Sequence, residues 1–553
     1  MKKQFILSLL CFFISIPSAF SQSSAVKKAA QATFTLSTFK ADGSLIASTN
    51  GVFIKSTGEA VAPWKPFVGA DHAVVIDAKG QKHDVELLLG ANNVYNLAKF
   101  QVNGKVPATA SIASSTASGN AWVVTTPQSN APQKASITSA DKFLEKYNYY
   151  VLSTSTADEQ FNGAAVCNDG GQLIGLFDKS GDLVTATDVN CTTDFALTGL
   201  SLNDENLKQC DIRVALPTDE KQALIALMLS SEKKVDVHEA TARDFISKFP
   251  KANEGYYALA GIEVAKGVYD EADKTMIDAI ATVTNKDEAH SNYAQLIYLA
   301  VINAQTDGHR PQSWTLDKAM SEAEAAYKIN PLPAYQHTQA LITFAQGKYQ
   351  DAYNRFEALT KTNFKNPELY LEMAQSQEQL NGSDQAILDL LEQAVALCDT
   401  PYVATSAPYF YARGIQYNKM GKYRLAMADL MRYEYFNLGR LDASFYYMRE
   451  QIESKGRIYQ QALNDILVAC QLEPNNPVYS AEAGSLLLRV NKPEAALSAA
   501  QHSIDLQPDY SDAYLILGLA QVQLQKKEEG IKNIQKAKEL GNAQADSFLE
   551  KVK

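Results

Sequence analysis

The chain has 553 residues, too many for one core and enough for about three or four domains of ordinary size. Its 46% hydrophobic and 20% charged content, with a mean hydropathy of -0.21, excludes wholesale disorder and a polytopic membrane protein. A formal charge of -11 excludes broad binding to a phosphate backbone, although a local basic patch is compatible with it.

Residues 1–24 carry Lys2 and Lys3, an apolar run from Phe5 to Ile16, then Pro17 and small residues to Ser21, the layout of a secretory leader. The run is about a dozen residues, shorter than the ~20 that cross a bilayer as a helix. A signal peptide over 1–21, cleaved after Ser21, is therefore expected, with export to the periplasm or beyond. Acylation at Cys11 is the lesser alternative, because Leu10 stands where that signal needs a small side chain. Export implies oxidising surroundings. One disulfide among Cys167, Cys191 and Cys210 is expected, with Cys398 and Cys470 read as small core residues. No CxxC, HExxH, EF-hand loop or phosphate-binding GxxxxGK[ST] occurs, so neither metal nor cofactor is expected.

From Ala25 to about Leu207, short β-rich runs alternate with turn residues: ATFTLSTF, GVFIKS, AVVIDA, AWVVTT, YYVLST, QLIGLF. Val52–Ile54 with Glu59–Ala62, and Ala164–Cys167 with Gln172–Phe177, read as hairpins closed by glycine-containing turns. A pair of β-barrels fits this length and pattern.

From about Thr218 onward the apolar period becomes helical. Ala462, Ala496 and Gly530 recur at one fixed spacing; so do Ala469, Ser503 and Ala537, then Tyr446, Ser480 and Tyr514, then Pro474, Pro508 and Asn542. The period is that of a two-helix repeat. Small residues recur where two helices must approach closely, and proline falls in the turn between units. The last unit (Tyr514, Leu517, Gly518, Gly530, Ile534, Ala537) and an earlier one (Phe410, Gly414, Tyr417, Ala426, Leu430) resemble the tetratricopeptide repeat (TPR). Seven or eight hairpins are expected, with insertions around Thr306–Leu316 and Thr400–Pro408. The resemblance implies an all-α solenoid over 233–553, reached through a connecting segment at 208–232. It implies protein or peptide ligands held by the first helix of each pair.

Three stretches of the β segment resemble the trypsin-like serine proteases, in the family's order. GVFIKSTGEAVAPWKPFVGA (Gly51–Ala70) places Lys65 at the catalytic His position. VYNLAKFQV (Val94–Val102) places Asn96 at the Asp position, and QFNGAAVCNDGGQLIGLFD (Gln160–Asp178) places Asn162 at the nucleophile. GNAWVVTTP (Gly119–Pro127) resembles a further strand. The resemblance implies a double β-barrel over 22–207 that has lost its triad, because a lysine ammonium accepts no proton and asparagine supplies neither nucleophile nor carboxylate. Loss of nucleophile or base alone costs about a million-fold in turnover in such an enzyme. The oxyanion turn, replaced by Phe161-Asn162-Gly163-Ala164, is in doubt as well. His72 reads as exposed at a strand start and His83 as a polar strand edge. Ser136, Ser153 and Ser155 carry no nucleophile signature, and Trp64 and Pro66 read as packing and turn residues.

The expected chain is thus multidomain, β then α, with no catalytic residues at Lys65, Asn96 and Asn162. It would be an exported binding protein with no integral membrane span and no nucleic-acid partner. Two alternatives stay open: an active serine-type endopeptidase with a rearranged site, and a TPR adaptor whose β domain is structural.

Overall fold

The computed structural model describes residues 23–552 apart from 144, 156–157 and 308–312, so the expected signal peptide lies outside the described residues. The chain divides into two compact units, one ending at Asn285 and one beginning at Lys286.

In the first unit a short helix, α1 (Ser24–Ala30), capped by the Ser23 hydroxyl, leads into the first barrel. Its strands are β1 (Thr33–Phe39), β2 (Leu45–Phe53), β3 (Glu59–Ala62), β4 (His72–Asp77), β5 (Lys82–Asn92) and β6 (Leu97–Val102), closed in the order β1-β2-β3-β6-β5-β4. The second barrel comprises β7 (Gly119–Val124), β8 (Gln133–Phe143), β9 (Tyr147–Thr154), β10 (Ala165–Cys167), β11 (Leu173–Ser180) and β12 (Leu183–Asp188). It closes in the order β10-β11-β12-β9-β8-β7, which is the first barrel's order when strands are counted from its own first strand. Both hairpins expected from the sequence form, as β2/β3 and β10/β11.

Each sheet closes on itself, so every strand has a neighbour on both sides over part of its length. Inward-facing side chains fill each interior: Phe34, Phe53, Trp64, Phe67 and Phe100 in the first, Tyr150, Phe161, Ile174 and Phe177 in the second. A third cluster joins them, with Val52, Val61 and Leu97 packed among Tyr147, Ala165, Leu173 and Leu176 and covered by Val26 of α1. The chain after Leu207 returns to the first barrel. Cys210 and Ile212 enter its core, and Leu88 exchanges backbone bonds with Arg213 and Ala215 at 2.7 and 2.9 Å.

The expected disulfide does not form; Cys167, Cys191 and Cys210 are free, buried thiols. Cys210 lies in the first barrel's core, apart from the other two, while Cys167 and Cys191 share the cluster between barrels and stay unbonded. Burial pushes the Cys167 and Cys210 thiols up to about 12, which leaves them inert.

Four helices complete the first unit: α2 (Glu220–Ser230), α3 (Val235–Lys248), α4 (Glu254–Ala265) and α5 (Tyr269–Thr282). The second unit is helical throughout its described residues: α6 (Lys286–Asp307), α7 (Leu316–Ile329), α8 (Pro333–Ala345), α9 (Tyr349–Leu359), α10 (Pro367–Gln379), α11 (Asp384–Ala396), α12 (Ala407–Lys419), α13 (Tyr423–Phe436), α14 (Ala443–Lys455), α15 (Tyr459–Leu472), α16 (Pro477–Arg489), α17 (Pro493–Leu506), α18 (Ser511–Gln523), α19 (Lys527–Glu539) and α20 (Ala545–Val552). Helices pack in sequential pairs, α4/α5 in the first unit and α6/α7 through α18/α19 in the second, in line with the seven or eight hairpins expected.

The small residues of the repeat sit where helices touch: Ala462, Ala496, Ala469, Ser503 and Ala537 are completely buried. A Cβ on Gly518 would come within 2.7 Å of the Gly530 carbonyl, so the α18/α19 crossing depends on glycine. Of the two expected insertions, the first begins as a lengthened helix, since α6 runs 22 residues against 13 for α8. The second is a loop containing a 3-10 turn at Ala404–Ser406.

Candidate functional site

The three positions that the sequence resemblance sets at a protease triad, Lys65, Asn96 and Asn162, lie on connections rather than within strands. Lys65 opens a 3-10 turn (Lys65–Phe67) after β3, fixed beneath by Trp64, which is fully buried and stacked on Phe67 at 5.7 Å. Asn96 precedes β6 in a left-handed conformation, φ 50°, that asparagine tolerates better than most residues. The structure brings these two together: the Lys65 backbone N–H donates to Asn96 Oδ1 at 2.9 Å, and the Trp64 N–H donates to the Asn96 carbonyl at 3.2 Å. The Asn96 amide thus fastens the turn's backbone. The Lys65 side chain is exposed.

Asn162 ends a 3-10 turn (Glu159–Phe161) before β10 and ties the two barrels together. Its carbonyl accepts from the Thr49 hydroxyl at 2.9 Å, the Asn50 N–H at 3.1 Å and the Asn50 side-chain amide at 3.0 Å. Its own Oδ1 accepts the Lys179 N–H at 2.8 Å. The next residue, Gly163, has φ 79°, and a Cβ there would stand 2.2 Å from the Asn50 carbonyl oxygen, so only glycine permits this junction.

An oxyanion site needs backbone N–H groups left free to point at a reacting oxygen. Here the Asn162 N–H donates to the Glu159 carbonyl at 2.9 Å, the Phe161 N–H to the Asp158 carbonyl at 3.1 Å, and the Gln160 N–H to Asp158 Oδ1 at 3.0 Å. The turn consumes its own donors. One residue that sequence reading passed over stands beside it. Burial raises the Asp178 carboxyl above the ordinary carboxylate range, and the Lys65 ammonium opposes that rise, which places a cation and a half-buried acid near one another. The signal was available, since Asp178 closes the third protease-like stretch.

His72 begins β4, exposed, stacked on Phe39 at 5.2 Å and bonded to Asp71, as expected. His83 is different. Rather than a polar strand edge it is buried, 6% exposed, with Nε2 on Asp77 Oδ2 at 3.1 Å and Nδ1 on the Asn103 carbonyl at 2.9 Å. The exposed neighbours Lys82 and Asp84 disguised a side chain that the strand's alternation turns inward. With both ring nitrogens engaged it has none to offer a substrate. Ser136 and Ser153 face one another across β8 and β9, exposed, and Ser155 follows them on the surface.

In the helical half, a groove of about 530 Å³ is lined from the first helices of three successive pairs, α14, α16 and α18, with residues 542–544 at its end. Glu450, Glu482 and Asp512 meet Lys455, Arg457 and Arg489 there. Burial, with Glu450 and Asp512 adding to it against Arg489, pushes Glu482 up to about 7 from 4.5. A folded-state pKa above the unfolded value means that the native protein holds this proton more tightly, so the associated stability is full below about 4.5 and is lost as pH rises through about 7. The expected loss is at most about 3 kcal/mol. Urea unfolding followed by helical ellipticity at pH 5 and pH 8 checks this: Glu482→Gln should gain relative to the native chain at pH 8 and not at pH 5. Equal pH dependence in both proteins removes Glu482 as its source.

The alignment of residues 482–545 with a family model bears on the helices: the match is to the tetratricopeptide repeat. The matched stretch, from within α16 to the start of α20, is a tetratricopeptide-repeat segment. No curated protein matches the chain. Among solved structures, a serine endoprotease from Yersinia pestis is similar at 16% identity over 35% of this chain and 68% of that one, with a TM-score of 0.28. The HtrA-type protease AlgW with tripeptide is similar at 18% identity over 32% of this chain and 62% of that one, with a TM-score of 0.27. The double β-barrel rests on its own closed strand order rather than on those likenesses. It is joined in one chain to TPR helices.

Proposed function

We propose that this is an exported polypeptide-binding protein in which a protease-like double barrel has given up catalysis and a TPR array supplies the grip. One observation carries the reading: at the triad positions stand Lys65, Asn96 and Asn162, and both asparagine amide oxygens accept backbone N–H groups instead of facing a substrate. The engaged N–H groups of Gln160 and Asn162 support it further. Export is supported by the leader-like residues 1–21. The TPR groove supports peptides as ligands, its first-helix walls offering charges of both signs.

Incubation of the purified chain with reduced, unfolded casein and a fluorophosphonate probe tests this. Casein should co-elute with the protein and remain intact over hours, and no serine of residues 23–215 should be labelled. Labelling of a serine there, with casein fragments appearing, would return the chain to the endopeptidases.

A further inference from the structure

We infer that the outward face of α13 is a docking seam for a second polypeptide, specifically an amphipathic helix whose apolar stripe is flanked by carboxylates.

The face is defined by what it leaves uncovered. Leu425, Met431 and Tyr435 are 50%, 53% and 69% exposed, Ala428 lies exposed between them, and Leu438 in the turn beyond is 66% exposed. These positions follow one another three or four residues apart, the rhythm of a seam between two helices rather than a scatter of single apolar residues. Among the described residues no other helix exposes so many large apolar side chains along one stripe. The stretch from Leu425 to Leu438 measures about 20 Å at helical rise, enough for about four turns of a partner. The patch is extended by the inserted loop before α12, where Tyr402 and Val403 are 38% and 49% exposed. Tyr402 packs on Phe410 at 4.9 Å, Phe410 on Phe436 at 6.5 Å and Phe436 on Tyr435 at 5.2 Å, so loop and helix are braced through the buried Phe410.

Charge chooses the occupant. The exposed ionic side chains of α13 and its flanking turns, from Lys422 to Arg440, are Lys422, Arg424, Arg432 and Arg440, all basic. The acids of the helix are turned away: Asp429 is 1% exposed and bonded to Arg413, and Glu434 is bonded to Arg449. This basic strip lies on a chain whose formal charge is -11. A second copy of the same face would set arginines against arginines, which disfavours a symmetric pair. An anionic bilayer would meet the exposed Asp389 and Glu392 of α11 in the preceding hairpin as well as the chain's net negative charge. A helix with leucine-like residues along one face and glutamates beside them satisfies both the stripe and its rim.

Two fluorescent probe peptides of about 18 residues, sharing one leucine stripe and differing only in glutamate or lysine flanks, test the seam by anisotropy with the full chain. The glutamate probe should bind at least about tenfold tighter than the lysine probe. Met431→Ser with Tyr435→Ser should weaken it by at least about tenfold without lowering the melting temperature, since both side chains are exposed. Arg424→Glu with Arg440→Glu should transfer the preference to the lysine probe. Equal affinity for the two probes, binding unchanged by the serine pair, or sedimentation with phosphatidylglycerol vesicles that depends on Tyr435 would each overturn the assignment.

Discussion

Replacing Arg449 with methionine should lower the stability of the helical half by about 3–5 kcal/mol, the cost of stranding buried carboxylates. Arg449 is 5% exposed and binds Asp465 through two nitrogens, at 2.6 and 2.8 Å, while a third reaches Glu434 at 2.6 Å. Asp465 is itself only 6% exposed and Glu453 beside it 2%. Burial, with Asp465 adding to it, raises the Glu453 carboxyl well above the ordinary glutamate range. The two acids that share the guanidinium through hydrogen bonds are Asp465 and Glu434. Without the arginine, Asp465 has neither water nor a cation, and methionine fills the space without replacing the charge. Urea unfolding by helical ellipticity measures the loss. A paired variant, Arg449→Met with Asp465→Leu, should recover most of it, because an apolar pair of similar size stands in well for a buried ion pair. A single variant that loses less than about 1 kcal/mol, within the range of a surface pair, would show that the network is solvated and contributes little. The same linkage occurs one hairpin earlier, where Arg413 grips Asp429 at 2.7 and 2.9 Å, again 16 residues on.

That recurring arginine–aspartate link explains what sequence reading caught and what it missed. The repeat was legible through its small residues because contact geometry leaves no choice at those points: Gly518 against Gly530, and Ala462 and Ala496 at complete burial. The ion pairs were not, since a 16-residue spacing between helices carries no periodic apolar signal. The barrels were legible where β-rich runs alternate, as in β1 and β4, or form a short continuous apolar run, as in β11. They were obscure in β8, whose burial pattern is largely exposed or intermediate, and in β5, where Lys82 and Asp84 conceal the inward His83. Lys65, Asn96 and Asn162 were fully visible as letters. What the letters withheld was how the replacements are employed, with Asn96 holding the Lys65 turn and Asn162 fastening one barrel to the other. Cys210 failed for a related reason: close in sequence to Cys191, it lies in a different core.

On the proposed reading, placing a His, an Asp and a Ser at positions 65, 96 and 162 should not produce proteolysis. The variant carrying Lys65→His, Asn96→Asp and Asn162→Ser is expected to hydrolyse peptide substrates at least about a thousandfold more slowly than a working enzyme, whose kcat/KM is about 10⁴ M⁻¹s⁻¹ or more. Each missing oxyanion donor costs about 10²–10³ in turnover. In this turn the N–H at position 162 is spent on the Glu159 carbonyl and that of Gln160 on Asp158. A restored serine would also forfeit the Lys179 N–H contact now made by the Asn162 side chain. At position 96 a carboxylate would inherit the bond from the residue-65 backbone N–H, whereas catalysis needs that oxygen on the imidazole. On the proposed reading the backbone of this turn, as well as the side chains, opposes the chemistry. Hydrolysis of an activated peptide ester and labelling by a fluorophosphonate give the measurement. Asp158→Ala added to the three changes frees the Gln160 N–H and should raise the ester rate above that of the triple variant while leaving amide hydrolysis undetected. A triple variant that cleaves peptides at an ordinary protease rate would place the whole loss in three side chains, and the closed turn from Asp158 to Gly163 would then be an apo conformation that substrate reopens.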